Sequence, residues 1–412
     1  MRQWEVAILK SLFSVVALLV LTRTFCLAAD VPRVAEEVSV SEFGAVGDGV
    51  TDETAAIRKA IKAAGTGGTV KFPPGRYLIS GTLEIEGVAL VGSIAGGFPA
   101  DWDVMPCIIV THTGGPAIRC GHAASVHGLV LRYEGVNWEA PVKYPPTILL
   151  SGVGISISNV KTWGAYDAII ADGRSNIGRV NLENLFLAEV VNTGVFLTQA
   201  YDIPTMRNVE VFCTNKRFLN QGVGFKLGRL DEFHASNCFV IGAQIGFQFI
   251  EHESAIGKGS TYGGLSNCST DFCGFGYVVE SGARLRVTNG SYLNHATAFK
   301  IAHPGACVIV HGAIIQGNGH HIVDISDCGN VMFSACRFQK AFENPIAWGV
   351  YITGGKNIII NGCTFDAFGP GVYLGGTAQK VTVSSNLFEA EKFEKVENKL
   401  AKTAGTVLSA NQ

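Results

Sequence analysis

Eight short segments share a pattern in which a small or apolar residue is followed by an apolar, a variable and an apolar residue, as in residues 224–227 (GFKL) and 298–301 (AFKI). Period-two alternation predicts that the variable residue points out of a strand while its neighbours point inward. The variable residues, in chain order, are Phe196, Lys226, Gln248, Val278, Lys300, Asp324, Tyr351 and Tyr373. The pattern therefore predicts one outward line rich in charged, amide and phenolic groups.

Titratable groups are densest around Lys300 and Asp324, with His295 and His321 at turns that enter neighbouring strands. These four are the candidate catalytic residues. Removal of a proton next to a carboxylate needs a base, a cation or amide that stabilises the enolate, and a proton donor. For such an elimination we assign the base to Lys300 or His295. The alternative without chemistry is an ion pair between Lys300 and Asp324 on adjacent strands.

Further residues of the same line and its entering turns are candidates for substrate binding. We expect Lys226 or Arg284 to stabilise negative charge and Tyr351 to line a groove with its aromatic face. The complete candidate set is Lys226, Gln248, Tyr351, Tyr373, Trp348, Asp167 and Arg284. The same set suits a protein that binds a ligand without turning it over.

Two other chemistries remain open. Glycoside hydrolysis needs two carboxylates about 5–10 Å apart, and Asp324 with Asp327, or Asp167 with Asp172, are the available pairs. Asp172 and Asp327 fall at turns, where Asp often bonds its own backbone. The sequence contains no metal-binding motif with a specific spacing. Ca²⁺ is the one candidate cofactor, and its ligands would be the carboxylates of Glu251, Glu253 and Glu280.

A short sequence motif that ends in Asn precedes these strands and sets where each of them begins. It recurs about every 25 residues between Asn159 and Ser384, with Val, Ile and Phe alternating before it and no helical periodicity. A repeat of this length made of short strands predicts a solenoid of stacked β-coils. We expect the Asn residues, among them Asn184 and Asn208, to form a buried column whose side chains bond to the coils above and below.

The ends and the one irregular stretch complete the architecture. Residues 56, 57, 60, 61 and 64 form an apolar stripe on a predicted helix that caps the first coil. Residues 98–147 break the rhythm with Pro and aromatic residues, including Trp102 and Trp138, and are predicted to wall a groove. Residues 389–402 have helical charge spacing and are predicted to cap the last coil.

Two N-terminal segments carry a family resemblance: residues 43–61 (FGAVGDGVTDETAAIRKAI) and 67–83 (GGTVKFPPGRYLISGTL). They resemble the opening of the pectate-lyase-like superfamily, in its rhamnogalacturonase and epimerase-like branch. The resemblance implies an all-β, right-handed, single-stranded parallel β-helix that acts on polysaccharide, and the repeats predict about 11–12 coils with an N-terminal capping helix. It implies no particular reaction, because lyases, hydrolases, epimerases and binders share this opening. The Asn-Thr-Asp, Asp-Asp and Gly-His-Gly elements of the pectin hydrolases are absent; Gly319-His320-His321 is the nearest approach.

The first 29 residues are predicted to be a secretory signal, with Arg2 and Lys10 before an apolar run from Leu12 to Leu21. The domain prediction is then a signal peptide (1–29), a β-helix (30–390) and a tail or cap (391–412). Net charge is −2, which gives no reason to expect nucleic acid, and the run is too short for a membrane span. We expect a secreted monomer or homotrimer whose partner is an extracellular, uronate-containing polysaccharide, most simply one cleaved by β-elimination.

Cysteines are numerous for such a chain, eleven in all. Cys238 and Cys268 directly follow the repeated Asn of consecutive coils, and Cys336 and Cys363 occupy matching places in two later coils. Each pair is therefore predicted to lie one coil apart, either as disulfides or as stacked free thiols.

Overall fold

The structure, a computed structural model, describes residues 36–93, 105–319, 321–340, 348–366, 370–389, 395–401, 404–409 and 411, with the side chains of Asn294 and His295 excepted. The predicted signal peptide (1–29), Trp102 and His320 lie outside these residues. No helix in the described ranges has the length and apolar character needed to span a membrane.

The described residues form two α-helices, α1 (Thr54–Ala64) and α2 (Lys216–Gln221), one 3₁₀ helix (Val40–Phe43) and 42 strands. In chain order the first strands are β1 (Glu37–Ser39), β2 (Asp48–Asp52), β3 (Thr69–Lys71), β4 (Gly75–Ile79), β5 (Leu83–Ile85), β6 (Ala89–Val91), β7 (Pro106–Val110), β8 (Ile118–Cys120), β9 (Ser125–His127), β10 (Val130–Tyr133), β11 (Ile148–Leu150), β12 (Ser156–Ser158), β13 (Lys161–Trp163), β14 (Asp167–Ala171), β15 (Asn181–Ala188), β16 (Thr193–Leu197), β17 (Thr205–Phe212), β18 (Val223–Leu227), β19 (Phe233–Ser236), β20 (Phe239–Ile241) and β21 (Ile245–Phe249).

The remaining strands are β22 (His252–Ser254), β23 (Gly257–Gly259), β24 (Tyr262–Ser266), β25 (Ser269–Asp271), β26 (Phe275–Val279), β27 (Arg284–Thr288), β28 (Ser291–His295), β29 (Thr297–Ala302), β30 (Cys307–His311), β31 (Ile314–Gly317), β32 (His321–Asp327), β33 (Asn330–Ser334), β34 (Arg337–Lys340), β35 (Trp348–Ile352), β36 (Lys356–Asn361), β37 (Thr364–Asp366), β38 (Val372–Leu374), β39 (Gln379–Ser384), β40 (Leu387–Phe388), β41 (Val396–Asn398) and β42 (Val407–Ser409).

Each coil contributes one strand to a 13-stranded parallel sheet, which runs from β5 to β41, and two strands to a 27-stranded parallel sheet. The 27 strands form one sheet because β15 and β17 are long strands, and each occupies both of the positions that two separate strands fill in the other coils. This is the predicted right-handed parallel β-helix. Its thirteen described strands on one face exceed the 11–12 coils expected from the sequence.

The interior is a stack of side chains from successive coils. Phe225, Phe247, Tyr277 and Phe299 are fully buried, and their ring centroids lie 4.7, 4.7 and 5.0 Å apart in chain order. Parallel strands about 4.8 Å apart place equivalent residues at this stacking distance. The alternation predicted for the repeated segments therefore builds the core on one side and leaves one residue of each strand facing outward.

The repeated Asn marks a turn in the backbone rather than a buried column. Asn159, Asn184, Asn208, Asn237 and Asn267 have φ between 52° and 54°, the left-handed region that Asn tolerates better than most residues. Asn184 donates to Asn159, and Asn208 donates to Asn184 at 2.8 Å, so three coils form the predicted ladder. Asn208, Asn237 and Asn267 are nevertheless exposed, so the prediction of a buried column was wrong.

The cap predicted for the first coil is confirmed, whereas the helical cap predicted for the last coil is not. Helix α1 buries Ile57, Ala60 and Ala64 against the first coils, as expected of a cap. The tail contains no helix in its described part: β41 pairs with β38, and β42 pairs with β39. Backbone pairing with the last coil outweighs the helical charge spacing, because an open sheet edge presents unpaired donors and acceptors.

Candidate functional site

The outward line predicted from the sequence is continuous. On the 13-stranded sheet Phe196 pairs with Lys226, Lys226 with Gln248, Gln248 with Val278, and Val278 with Lys300. Lys300 pairs with Asp324, Asp324 with Tyr351, and Tyr351 with Tyr373. We call these eight residues the outward column. Seven are partly exposed, while Val278 is 3% exposed between the side chains of its neighbours.

Lys300 and Asp324, the fifth and sixth residues of the column, lie side by side. Burial raises the pKa of Asp324, and the charge of Lys300 opposes that shift. The ammonium of Lys300 lies 5.5 Å from the centroid of the Phe275 ring. Lys300 and Asp324 do not form an ion pair with each other among the described residues. The alternative of a surface ion pair between them is therefore not observed. A half-buried carboxyl with a raised pKa is suited to proton transfer.

Aromatic rings continue the column beyond Asp324. The rings of His321 and Tyr351 are parallel with centroids 4.0 Å apart, and Tyr351 stacks on Tyr373 at 4.7 Å. Trp348 flanks Tyr373 with a centroid distance of 5.4 Å. His321, Tyr351, Tyr373 and Trp348 thus form one aromatic surface, which we call the aromatic ladder. It places ring edges and polar tips beside the Lys300–Asp324 pair.

The other end of the column carries a second group of polar residues. The ammonium of Lys226 lies 5.7 Å from the centroid of Phe196. Gln248 donates to Glu280 at 3.0 Å. Asp167 stands at the start of β14, where it accepts from Asn192 at 2.7 Å, and burial raises its pKa. Five strand spacings separate β14 from β29, so Asp167 lies about 24 Å along the sheet from Lys300 and does not join it.

Several predicted site residues lie elsewhere or serve local structure. Arg284 begins β27 in the 27-stranded sheet, away from the column, because its alternating segment resembles a column strand but follows a different turn. Asp172 accepts from the backbone amides of Arg174 and Ser175 at 2.8 Å, which is the turn role. His295 ends β28, and its side chain is outside the described atoms.

The three carboxylates considered for calcium are committed to other partners. Lys258 contacts Glu251 at 2.8 Å and Glu253 at 3.4 Å, and Glu280 accepts from Gln248. Within the described ranges no three His, Cys, Asp or Glu side chains converge in a way that could hold a metal ion.

A cavity of about 730 Å³ lies beside α2, on the side of the turns that enter the strands of the 13-stranded sheet. Trp138 and Trp163 form one part of its wall, and Lys216, Arg217 and Gln221 of α2 and its vicinity form another. Trp138 belongs to the irregular stretch at residues 98–147, so its described part does line a groove, as expected. Glu189 holds α2 in place by accepting from Thr214 and Asn215.

His252 is not among the site residues predicted from the sequence. It is the first residue of the hairpin β22–β23, whose two strands are antiparallel. The centroid of its ring lies 5.8 Å from the centroid of the Phe196 ring. The signal in the sequence was the 30-residue interval from Asn237 to Asn267, the longest between repeats. That interval holds the inserted hairpin.

Comparison with known proteins agrees with this architecture. Residues 37–98 match the family model described as rhamnogalacturonase A/epimerase, pectate lyase-like. Residues 255–408 match the model of the right-handed β-helix region. The chain is a right-handed β-helix, and its N-terminal part matches the pectate-lyase-like superfamily.

The similar proteins act on several polysaccharides. A 50-residue segment is 55% identical to mannuronan C5-epimerase AlgE5 of Azotobacter vinelandii, and a 57-residue segment is 51% identical to alginate lyase 7 of the same organism. These segments make up 12% and 13% of this chain, and only 5% and 7% of the length of those relatives. The A-module of Azotobacter vinelandii mannuronan C-5 epimerase AlgE6 has 17% identity and a TM-score of 0.52, over 91% of this chain and 99% of that module. At this identity the structural likeness concerns the fold.

Proposed function

We propose that this pectate-lyase-like β-helix is a secreted enzyme that cleaves a uronate-containing polysaccharide by β-elimination on the 13-stranded sheet. The observation that carries the proposal is the Lys300–Asp324 pair, set in the outward column next to the aromatic ladder. A base with a raised pKa, a neighbouring cation and phenolic donors are the groups that this reaction needs. The segments shared with a C5-epimerase and an alginate lyase support a uronate as the substrate.

In the proposed reaction the substrate carboxylate lies against the ammonium of Lys300. Asp324 removes the proton on the carbon next to that carboxylate, and Lys300 stabilises the negative charge that develops there. The electron pair of the broken C–H bond forms a carbon–carbon double bond, and the glycosidic C–O bond on the next carbon breaks. The departing oxygen takes a proton from the hydroxyl of Tyr351, which is the next column residue after Asp324.

The assignment differs from the sequence-based expectation that Lys300 or His295 is the base. Lys300 lies over the Phe275 ring as a cation, and its charge acts on Asp324 across the strand pair. A carboxylate whose pKa is raised by burial is a stronger base than an ordinary Asp, and the cation beside it then serves the enolate.

The decisive assay treats a panel of uronate polysaccharides with the protein and follows two products, the ultraviolet absorbance of unsaturated uronate and new reducing ends. β-Elimination raises both together in the wild type, and D324N, K300M and Y351F each lose the activity while K356M, on the 27-stranded sheet, retains it. Reducing ends without unsaturation would instead indicate a hydrolase that uses Asp324 as acid. Binding without either product would indicate a carbohydrate-binding β-helix.

A related readout separates cleavage from epimerisation, which begins with the same proton removal. In heavy water an epimerase introduces deuterium at the carbon next to the carboxylate without shortening the polymer. Secretion and assembly belong to the same proposal. N-terminal sequencing of the exported protein tests the signal at residues 1–29, and sedimentation equilibrium distinguishes between the two expected states, monomer and homotrimer.

A further inference from the structure

The β22–β23 hairpin leaves the 13-stranded sheet after β21 and folds back over earlier coils. The hydroxyl of Tyr201 lies 2.5 Å from the carbonyl oxygen of Ile256 at the hairpin tip. The guanidinium of Arg229 stacks over the Tyr201 ring at 3.9 Å. A Cβ atom added to Gly173 would lie 3.2 Å from the imidazole of His252. The hairpin therefore forms a wall over the turns that follow β14, β16 and β18.

A buried amide fixes the position and the tautomer of His252. Gln199 is fully buried, and its Nε2 lies 3.0 Å from the Gly257 carbonyl oxygen and 3.0 Å from Nδ1 of His252. The carbonyl can only accept a hydrogen bond, so the Gln199 atom that faces both groups must be the donating nitrogen. Nδ1 of His252 therefore accepts, and the ring hydrogen is on Nε2.

Gln199 occupies a turn with a left-handed backbone, like several other turns of the coils. Its φ is 58°, in the left-handed region that costs a non-glycine residue about 1–2 kcal/mol. The hydroxyl oxygen of Tyr201 lies 2.8 Å from the side-chain oxygen of Gln199, and its single hydrogen is shared between that oxygen and the Ile256 carbonyl oxygen. A fully buried amide that contacts both the hairpin backbone and the imidazole fixes the orientation of His252, and we infer a function for this imidazole from that arrangement.

His252 faces the outward column at Phe196 and Lys226. Burial lowers the pKa of His252, and the positive charge of Lys226 lowers it further. The other charged neighbours on the hairpin, Glu251 and Glu253, are paired with Lys258. Lys226 belongs to no ion pair of the described residues. The arrangement thus presents one free cation, one neutral N–H donor and one phenyl face.

We propose that Phe196, Lys226 and His252 form a subsite for the carboxylate-bearing ring of a uronate, with Lys226 three and Phe196 four strand spacings from Lys300; this rests on the proposed function. The sugar ring lies against Phe196, and its carboxylate accepts from the ammonium of Lys226 and from Nε2 of His252. Gln199 is the positioning residue. The subsite is separate from the reacting pair, because Gln248 and Val278 lie between Lys226 and Lys300 on the column.

The tautomer is tested first, by nuclear magnetic resonance of protein labelled in its histidine side chains, with H252Q used to assign the signal. We expect the wild-type imidazole to be neutral with its hydrogen on Nε2 at neutral pH. Gln199→Leu removes both hydrogen bonds that the side-chain amide makes to His252 and Gly257, and we expect it to give a mixture of tautomers. A hydrogen on Nδ1 in the wild type would overturn the proposal.

Binding is tested by calorimetry, using a short uronate oligosaccharide and a neutral glucan oligosaccharide of the same length. K226M and H252L are each expected to weaken uronate binding about tenfold, the effect of one lost charge-assisted hydrogen bond. H252Q keeps an N–H donor near the position of Nε2 and is expected to stay within about threefold of the wild type. The matched control K356M removes an exposed lysine from the 27-stranded sheet and leaves binding unchanged.

The outcomes separate this subsite from the function on which it rests. If the wild type binds the uronate and K226M and H252L bind it equally well, the subsite is refuted while the proposed function stands. If K226M weakens the neutral and the uronate oligosaccharide alike, recognition of a carboxylate is refuted. If the wild type binds no uronate, both proposals fail.

Discussion

Replacing Phe247 by alanine tests the inward and outward assignment on which the whole site depends. Phe247 is fully buried and stacked between Phe225 and Tyr277, with centroid distances of 4.7 Å on both sides. A buried Phe→Ala substitution costs about 3–5 kcal/mol, and two stacked partners place this one in the upper part of that range. Phe196 is the matched control, because it has the same side chain on the outer face of the same sheet.

We expect F247A to lower the free energy of unfolding by about 4–5 kcal/mol and F196A to lower it by about 1 kcal/mol or less. The assay is equilibrium unfolding in urea, followed by circular dichroism and by tryptophan fluorescence. Repeat proteins unfold in segments, so the two probes also show whether the loss is local to the coils around Phe247.

F247L keeps most of the buried volume, and we expect it to cost about 1–2 kcal/mol, which provides a measurable value if F247A does not fold. A double replacement of Phe225 and Phe247 should be non-additive, because the two rings contact each other. Equal losses for F196A and F247A would refute the register and, with it, the outward column.

Three further predictions concern the column, the thiols and the turns. Because burial raises the pKa of Asp324 above its value in the unfolded chain, the native state binds the extra proton, and stability falls as pH rises through that pKa. D324N should therefore flatten this part of the stability profile in thermal unfolding while abolishing turnover, and an unchanged slope would contradict the assignment. Mild oxidation should link Cys238 to Cys268 and Cys336 to Cys363, because each pair is free and one coil apart, and peptide mapping would show different pairs if the register were wrong. Asn208→Gly should leave the urea midpoint nearly unchanged, whereas Asn208→Ala should cost about 1 kcal/mol, because φ is 53° there; equal costs would show that the side chain matters rather than the backbone.

The outward column was predictable because two regularities coincide along the chain. The repeat length sets where each coil begins, and period-two alternation then decides the direction of every side chain in the strand. Lys226, Lys300, Asp324, Tyr351 and Tyr373 follow from these rules without any knowledge of packing. The same rules predicted the neighbouring thiols, since a residue that follows the repeated Asn occupies an equivalent place in each coil.

The failures arise where the chain departs from the repeat or where one pattern serves two structures. Arg284 stands in an alternating segment that belongs to the other sheet, and alternation alone does not distinguish the two. The burial of the Asn residues was wrong because their recurrence reflects backbone conformation, which an exposed side chain satisfies equally well. His252 and Gln199 come together through an insertion that folds back over three coils, and their contact has no signal in local sequence.

The hairpin and the cavity beside α2 flank different edges of a sheet that is otherwise uniform from coil to coil. Each coil advances the outward column by one strand spacing, which is close to the length of one sugar ring in an extended chain. Adding or removing a whole coil would then lengthen or shorten the bound stretch of polymer by one ring and leave all other contacts in phase. In the proposed enzyme, whole-coil duplication or deletion is therefore expected to change the product length in discrete steps, independently of the residues assigned to the reaction.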